Sequence, residues 1–395
     1  MSKSDALPTQ LIHHPYRPPG GFEAPQPAVH KASTVIFRDV AAMRARDWRS
    51  KAGYTYGLHG TPTTFLLEEH IATLEGGTAC VLVPSGLAAI ALVDQALLSQ
   101  GDELLLPDNV YGPSAAFARH ELARWGVTCR SYDPLDAASA AAAIGPKTRL
   151  MWIEPPGSVT MEFPDLTGLV AAARNRGVLT AVDNTWGAGI ALRAFDAGVD
   201  IVMQALTKYP SGGGDVLMGS VVTRDAALHQ RLKQAHMHLG LGVAGNDAEA
   251  ILRGLPSLAL RYAAQGDAGV VLARWLAGRP EVARVLHPAL EGSPGHAHWR
   301  AHAQGAAGLF SVLLDERFSP AQVDAFVDSL RLFRIGYSWA GPRSLVVPYE
   351  LASLREPAVL ARQGLRGHLV RFSLGLEAVA DLQADLAQAL ETLRA

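Results

Sequence analysis

Asp200-Ile-Val-Met-Gln-Ala-Leu-Thr-Lys208-Tyr209, followed by the glycine run Gly212-Gly213-Gly214, is the stretch on which the reading of this chain turns. Ile201, Val202 and Met203 form an apolar, strand-like run, and the glycines beyond Lys208 mark a turn, so the lysine falls at a strand end. Strand ends are where α/β enzymes gather their chemistry. A lysine amine is a nucleophile only when neutral, a state reached by partial desolvation or by engagement with a carbonyl cofactor. Most lysines are instead plain surface residues.

Upstream, Gly177-Val-Leu-Thr-Ala-Val-Asp183-Asn-Thr-Trp186 is a second apolar run that ends in a carboxylate. It reads as a buried parallel strand with an acid at its C-terminal tip. A strand-end Asp and a strand-end Lys one βα unit apart are the two anchors that pyridoxal phosphate (PLP) needs. The lysine would hold the aldehyde, and the carboxylate would keep the pyridine nitrogen protonated so that the ring accepts electrons. On its own the pair is moderately specific.

Further segments lie in order along nearly the whole chain: Tyr54-Thr-Tyr56-Gly57, Leu74-Glu-Gly-Gly77, Pro84-Ser-Gly86, Tyr111-Gly-Pro-Ser114, Glu154-Pro-Pro-Gly-Ser-Val-Thr-Met-Glu162, Tyr337-Ser-Trp339 and Arg371-Phe-Ser-Leu-Gly-Leu-Glu377. With Asp183 and Thr207-Lys208 they resemble the Cys/Met-metabolism family of PLP-dependent enzymes, and within it the cystathionine β-lyases. The resemblance implies an α/β fold of the aspartate-aminotransferase-like type (fold type I), with a mainly parallel seven-stranded sheet in the large domain and a smaller α+β C-terminal domain. It implies PLP held by Lys208 and Asp183, stacked by Tyr111, approached by Ser158 and cradled at its phosphate by Ser85, Gly86, Leu87 and Thr207. Tyr56 would enter the cofactor site of a neighbouring subunit, in a homotetramer built from dimers that share active sites. Lys208, Tyr111 and Tyr56 would be catalytic, while Arg371, Ser338 and Trp339 would take the substrate carboxylate. The implied reaction is β-elimination from L-cystathionine to homocysteine, pyruvate and ammonia. Other reactions of the family (γ-lyase, γ-synthase, cysteine desulfhydrase) and a non-catalytic PLP-binding regulator are the alternatives. Two residues after Tyr56, where the family usually carries an arginine, this chain has Leu58, with His59 beside it; His236 stands where the relatives that look most similar carry tyrosine.

Composition is compatible and excludes other classes. The 395 residues allow two to three domains, and a formal charge of -2 with 18% charged residues provides no basic field for nucleic acid or an acidic membrane. The two cysteines, Cys80 and Cys129, cannot build a disulfide framework and suit a reducing cytoplasm. The first residues lack an apolar targeting core, and no apolar run is long enough to span a membrane. Small-molecule amino acids are the expected partners.

In chain order, residues 1–60 are rich in Pro and Gly and read as an extended arm to a neighbouring subunit. Residues 61–255 read as the PLP-binding domain and 256–395 as the C-terminal α+β domain. Thr61-Pro62 is a helix start with its N-cap, and Gly76-Gly77 is its stop. Pro84-Ser85-Gly86 leads into a helix whose first amide groups suit a phosphate, although an ordinary cap explains the residues equally well. Arg371 in the strand-like run Leu369–Leu374 would be awkward unless it meets a planar anion, for which its fork is built; a solvated strand face is the commoner circumstance. His236 and His238 point different ways on a helix, and His298 and His302 have ligand spacing without an accompanying carboxylate, so no metal is expected.

Overall fold

Alternation along each strand explains the larger layer. In Cys80-Val-Leu-Val83, Leu104-Leu-Leu106, Leu150-Met-Trp-Ile153 and Ile201-Val-Met203 the odd and even side chains enter two different cores, one on each sheet face. A sheet buried on both faces needs such continuous apolar runs. The computed structural model describes residues 20–21 and 24–394, so part of the expected 1–60 arm lies outside the described residues.

Seven strands form the first sheet: β1 (Ala79–Val83), β2 (Glu103–Pro107), β3 (Thr128–Tyr132), β4 (Thr148–Ile153), β5 (Leu179–Asp183), β6 (Ile201–Gln204) and β7 (Gly219–Thr223). Their order is β1-β7-β6-β5-β4-β2-β3, parallel from β3 through β6, with β7 antiparallel to both of its neighbours. Helices Pro62–Glu75 and Leu166–Arg174 cover one face, and helices Gly86–Leu97 and Ala226–Leu239 the other. Helix Pro62–Glu75 starts with a capping box: Thr61 accepts from Thr64 N while Thr64 reaches back to Thr61 N, with proline in the first turn.

A second sheet of five strands has the order β10-β11-β12-β9-β8, from β8 (Val282–Leu286), β9 (Leu309–Leu314), β10 (Arg334–Ile335), β11 (Leu345–Tyr349) and β12 (His368–Ser373). One face packs Phe310, Val312, Val346, Val370 and Phe372 under helices Leu258–Ala277, Pro320–Asp328 and Val379–Leu390. The other face, through Leu309, Leu313 and Leu369, joins Val159, Met161, Trp186, Tyr209 and Tyr262 in a shared apolar cluster. That cluster fixes the smaller layer against the carboxyl ends of the parallel strands.

Val216–Val222 reads along the sequence as one apolar strand. The apolar run from Val216 yields a strand only from Gly219, because Met218 N bonds the Thr207 hydroxyl rather than a ladder partner. The described part of the N-terminal segment is fastened to its own chain. It holds a short helix, Val40–Arg44, capped by Asp39, and is tied down by His30 N on Thr63 Oγ1 (2.8 Å), Lys51 on Glu68 (2.8 Å) and Lys233 Nζ on Arg49 O (3.1 Å). Among the described residues no helix is long and apolar enough to cross a membrane.

Asp385, buried in helix Val379–Leu390, accepts from the backbone N–H groups of Arg331 (2.9 Å), Leu332 (2.8 Å) and Phe333 (3.3 Å), which set the start of β10. Asp385→Ala strands three donors and should destabilise the chain by about 3 kcal/mol, measured as a lowered urea midpoint at unchanged slope.

Candidate active site

Every turn that leaves the carboxyl end of β1, β2, β4, β5 or β6 enters one cleft of about 510 Å³, which the smaller layer closes with Tyr337–Trp339, Tyr349, segment 353–355 and Arg371. Strand order reverses between β2 and β4, the position where open α/β sheets leave a crevice.

Lys208 lies four residues beyond the end of β6, inside a turn rather than at the strand tip. The turn is held by Lys208 N on Ala205 O (3.0 Å), Gly212 N on Lys208 O (2.9 Å) and Arg261 Nη1 on Tyr209 O (2.7 Å). Gly212 has φ of 65°, and a Cβ there would strike the Arg261 guanidinium at 2.1 Å, so glycine is required. The Lys208 amine donates to Ser338 Oγ at 2.6 Å and stands 5.2 Å from the centre of the Trp339 ring. Burial pushes its pKa down to about 8; the Arg371 charge acts in the same direction and Asp183 opposes both.

Asp183 ends β5 beside Met203 of β6. Its Oδ1 accepts from Thr185 N (2.9 Å) and Thr185 Oγ1 (2.5 Å), and no described group bonds Oδ2 on this cleft-lining residue. Burial raises its pKa against the pull of Thr185 and Lys208. Across the cleft Tyr111 N–H donates to Glu154 Oε2 at 2.7 Å. Burial, then the Asp183 and Glu154 carboxylates, raise the Tyr111 phenol above its usual range.

Ser85 caps helix Gly86–Leu97 by accepting from Ala88 N (3.1 Å), so the Gly86 and Leu87 N–H groups have no acceptor within the helix. A Cβ on Gly86 would lie 2.7 Å from that of Ala205, which explains the glycine at this close approach. Thr207 also lines the cleft, but its hydroxyl bonds Met218 O (3.3 Å) and Met218 N (3.1 Å).

Arg371 on β12 is only 9% exposed, and no carboxylate lies within 4 Å of it among the described residues. It has one long hydrogen bond, from Nη2 to Ser338 O (3.4 Å), and it faces the Tyr349 ring at 5.4 Å. A buried guanidinium without an anion is a receptor for one. These donors fit PLP with an amino-acid substrate: N–H groups at a helix start for a phosphate, an open carboxylate oxygen for a ring N–H, an amine for an aldehyde and a guanidinium for a carboxylate.

The cleft thus gathers Lys208, Asp183, Tyr111, Ser85, Gly86, Leu87, Thr207, Ser158, Arg371, Ser338 and Trp339. Tyr56 does not line it; this side chain is 48% exposed beside His59. Sequence reading gave no role to Glu154, Tyr349 or Arg355, which also line it. Glu154 was legible by the rule that singled out Asp183, an acid at a strand tip, whereas Arg355 had no local signal. His298 Nδ1 stands 3.7 Å from Asp165, and among the described residues no group of His, Cys, Asp or Glu is arranged for a metal.

The sequence profile of the family described as "Cys/Met metabolism PLP-dependent enzyme" matches residues 8–391. A cystathionine beta-lyase of Bordetella avium is 39% identical over 98% of this chain and 97% of its own, and one of Salmonella typhimurium is 37% identical over 91% of each. The crystal structure of cystathionine gamma synthase from Xanthomonas oryzae pv. oryzae in complex with cystathionine superposes with a TM-score of 0.86 at 33% identity, covering 93% of both chains.

With a pKa of about 8, roughly one-tenth of Lys208 is neutral at pH 7, against about 0.04% of a solvent lysine. The rate at which cofactor-free protein captures PLP, followed by stopped-flow absorbance, should rise with pH and level off above about pH 8. In Arg371→Leu, loss of the neighbouring cation raises the amine pKa and moves the plateau to higher pH. A rise continuing unchanged to pH 10 would contradict the desolvated amine.

Proposed function

This chain belongs to the Cys/Met metabolism family of PLP-dependent enzymes, and on that premise we propose that it is a carbon–sulfur lyase that cleaves L-cystathionine by β-elimination to homocysteine, pyruvate and ammonia. The observation that carries the reading is the pairing, in one cleft, of a desolvated amine at Lys208 with an unpaired, buried guanidinium at Arg371. Identity to relatives named cystathionine beta-lyase supports the choice of substrate.

PLP, when bound, supplies an electron sink for the charge that develops at the substrate Cα. Lys208 and Asp183 hold it, with the N–H groups of Gly86 and Leu87, Ser85 and Thr207 at its phosphate, Ser158 near its ring and Tyr111 against the ring face. Arg371 binds the α-carboxylate with a planar fork, assisted by Ser338, and Trp339 shapes the pocket beside it. The Lys208 amine, neutral in a useful fraction at physiological pH, takes the Cα proton. Ser338 Oγ, 2.6 Å from that amine, keeps it aimed between the two walls. Raised by burial, the Tyr111 phenol stays protonated and meets the substrate as a neutral donor. Clamping the carboxylate and excluding water bring the reacting groups to close range.

The same reading makes the assembly a homotetramer of dimers with shared sites, where Tyr56, exposed and outside its own cleft, enters that of the neighbour. It places the protein in the cytoplasm, in keeping with two unpaired cysteines.

The test is to give purified, PLP-supplemented protein L-cystathionine and identify the keto acid. Pyruvate with free homocysteine is the expected result; 2-oxobutyrate would assign γ-cleavage, and no keto acid would overturn the lyase reading. Arg371→Leu should raise KM roughly 10²-fold, the loss of a bidentate charge-assisted pair of about 3 kcal/mol, at unchanged cofactor content.

A further inference from the structure

Two arginines that the chemistry above leaves without a role, Arg355 and Arg362, reach from residues 351–364 of the smaller layer to the opposite wall of the cleft. Arg355 is 7% exposed and, among the described residues, has no carboxylate within 4 Å. Its guanidinium is directed at main-chain oxygens. Nη1 donates to Leu354 O (2.9 Å), and Nη2 to Asn109 O (3.0 Å), Ser158 O and Thr160 Oγ1 (3.3 Å). Buried cations normally take an anion as partner. Here the anion, Glu162, stands one step away: its Oε2 accepts from Asn109 Nδ2 (2.9 Å) and Thr160 Oγ1 (2.7 Å). Arg355 and Glu162 therefore hold the same two chain segments.

Both segments form cleft wall. The turn 157–161 contains Val159 at φ 68° and Met161 at φ 62°. A β-branched side chain in the left-handed region is a true outlier, and it persists only where the surroundings over-determine it. Asn109 O also accepts from Ser158 N (2.9 Å), which joins this turn to the Tyr111 turn, and two residues later Glu154 fixes Tyr111 N. Arg362 braces the same strip from outside through Asp108 (2.5 Å) and Asp133 (2.8 Å).

We propose that Arg355 is a positioning residue: by holding the carbonyls of Asn109 and Ser158 it sets the Tyr111 ring and the 157–161 turn against the reacting centre, with Arg362 as its outer brace. The inference rests on the reading of Tyr111 as the group against the cofactor ring. A contact that served stability alone would alter melting and leave turnover per loaded site unchanged. A positioning contact instead lowers kcat while KM holds, because Arg371 and Ser338 are untouched.

The test compares PLP-loaded wild type with Arg355→Met and Arg355→Lys, each normalised to bound cofactor. Arg355→Met should lower kcat by about 10²-fold, the scale of an ångström-size misplacement, with KM within about threefold and a weaker visible circular dichroism of the bound cofactor. Arg355→Lys keeps the charge but lacks the fork, so it should recover kcat only in part. Unchanged kcat and dichroism with only a lower melting temperature would overturn the proposal. If Arg355→Met does not fold, Arg355→Lys and the surface variant Arg362→Gln decide by the same two readouts, the latter with a smaller loss. A wild type inert on cystathionine would sink the proposed reaction, while the dichroism comparison would still decide the place of Arg355.

Discussion

A carboxylate at the tip of β5 and an amine in the turn after the adjacent β6 carry opposite charges, yet attraction between them does not set the state of Lys208. Burial is the largest influence on the amine, and the Arg371 cation reinforces it against the Asp183 carboxylate. Loss of hydration outweighs a Coulomb attraction that a nearby like charge partly cancels. Everything else in the cleft depends on that balance. A solvated lysine beside Asp183 would be a fully charged ion pair, and a paired Arg371 would have no affinity left for a carboxylate. Lys208 therefore shares the cleft with a second cation, Arg371, that works against its protonation and a carboxylate, Asp183, that favours it, an arrangement whose desolvation penalty the rest of the fold must offset.

The offset comes from the two packed layers. Strands β2 and β4 to β6 are apolar on both faces and buried beneath helices on each side, so their carboxyl ends arrive at one rim in fixed register. The apolar cluster of Trp186, Tyr209, Tyr262, Leu309 and Leu313 then joins the second sheet to that rim. Tyr209, the residue after Lys208, packs its ring at a tilt to Tyr262 and edge-to-face with Trp339, and accepts from Gly308 N through its hydroxyl. One side chain so ties the lysine turn to the wall bearing Arg371. Polar cleft chemistry is positioned by apolar contacts a few ångströms below it.

Much of this arrangement could be read along the chain because it is local. The Thr61 cap, the Ser85 helix start and the Asp183 tip each follow from a few neighbouring residues. What stayed hidden is long-range. Lys208 was placed at a strand end from the apolar run before it, but β6 stops at Gln204 because Ala205 N bonds Thr185 Oγ1 across the turn. Nothing near Arg355 in the sequence shows that its partners lie about the Asn109 and Ser158 carbonyls, in a different layer. Tyr56 shows the opposite limit, since its own chain puts it outside the cleft and a cofactor role for it rests on the proposed assembly.

Backbone strain follows the same map. Five non-glycine residues among those described have positive φ; Val159, Met161 and Ser338 line the cleft, and Ala340 follows two residues after Ser338. Such conformations cost of order 1–3 kcal/mol each and survive only under constraint. The constraints are visible: Arg355 and Glu162 around the first pair, and Ser373 Oγ accepting from Ala340 N (3.3 Å) for the second. The two strained turns come from opposite layers and line the same cleft as Lys208, whose amine meets the hydroxyl of one of the strained residues, Ser338. A relaxed backbone at either turn would re-aim the side chains on that wall, so the groups that enforce the strain, although they touch no reacting atom, belong to the physical description of the site as much as the amine does.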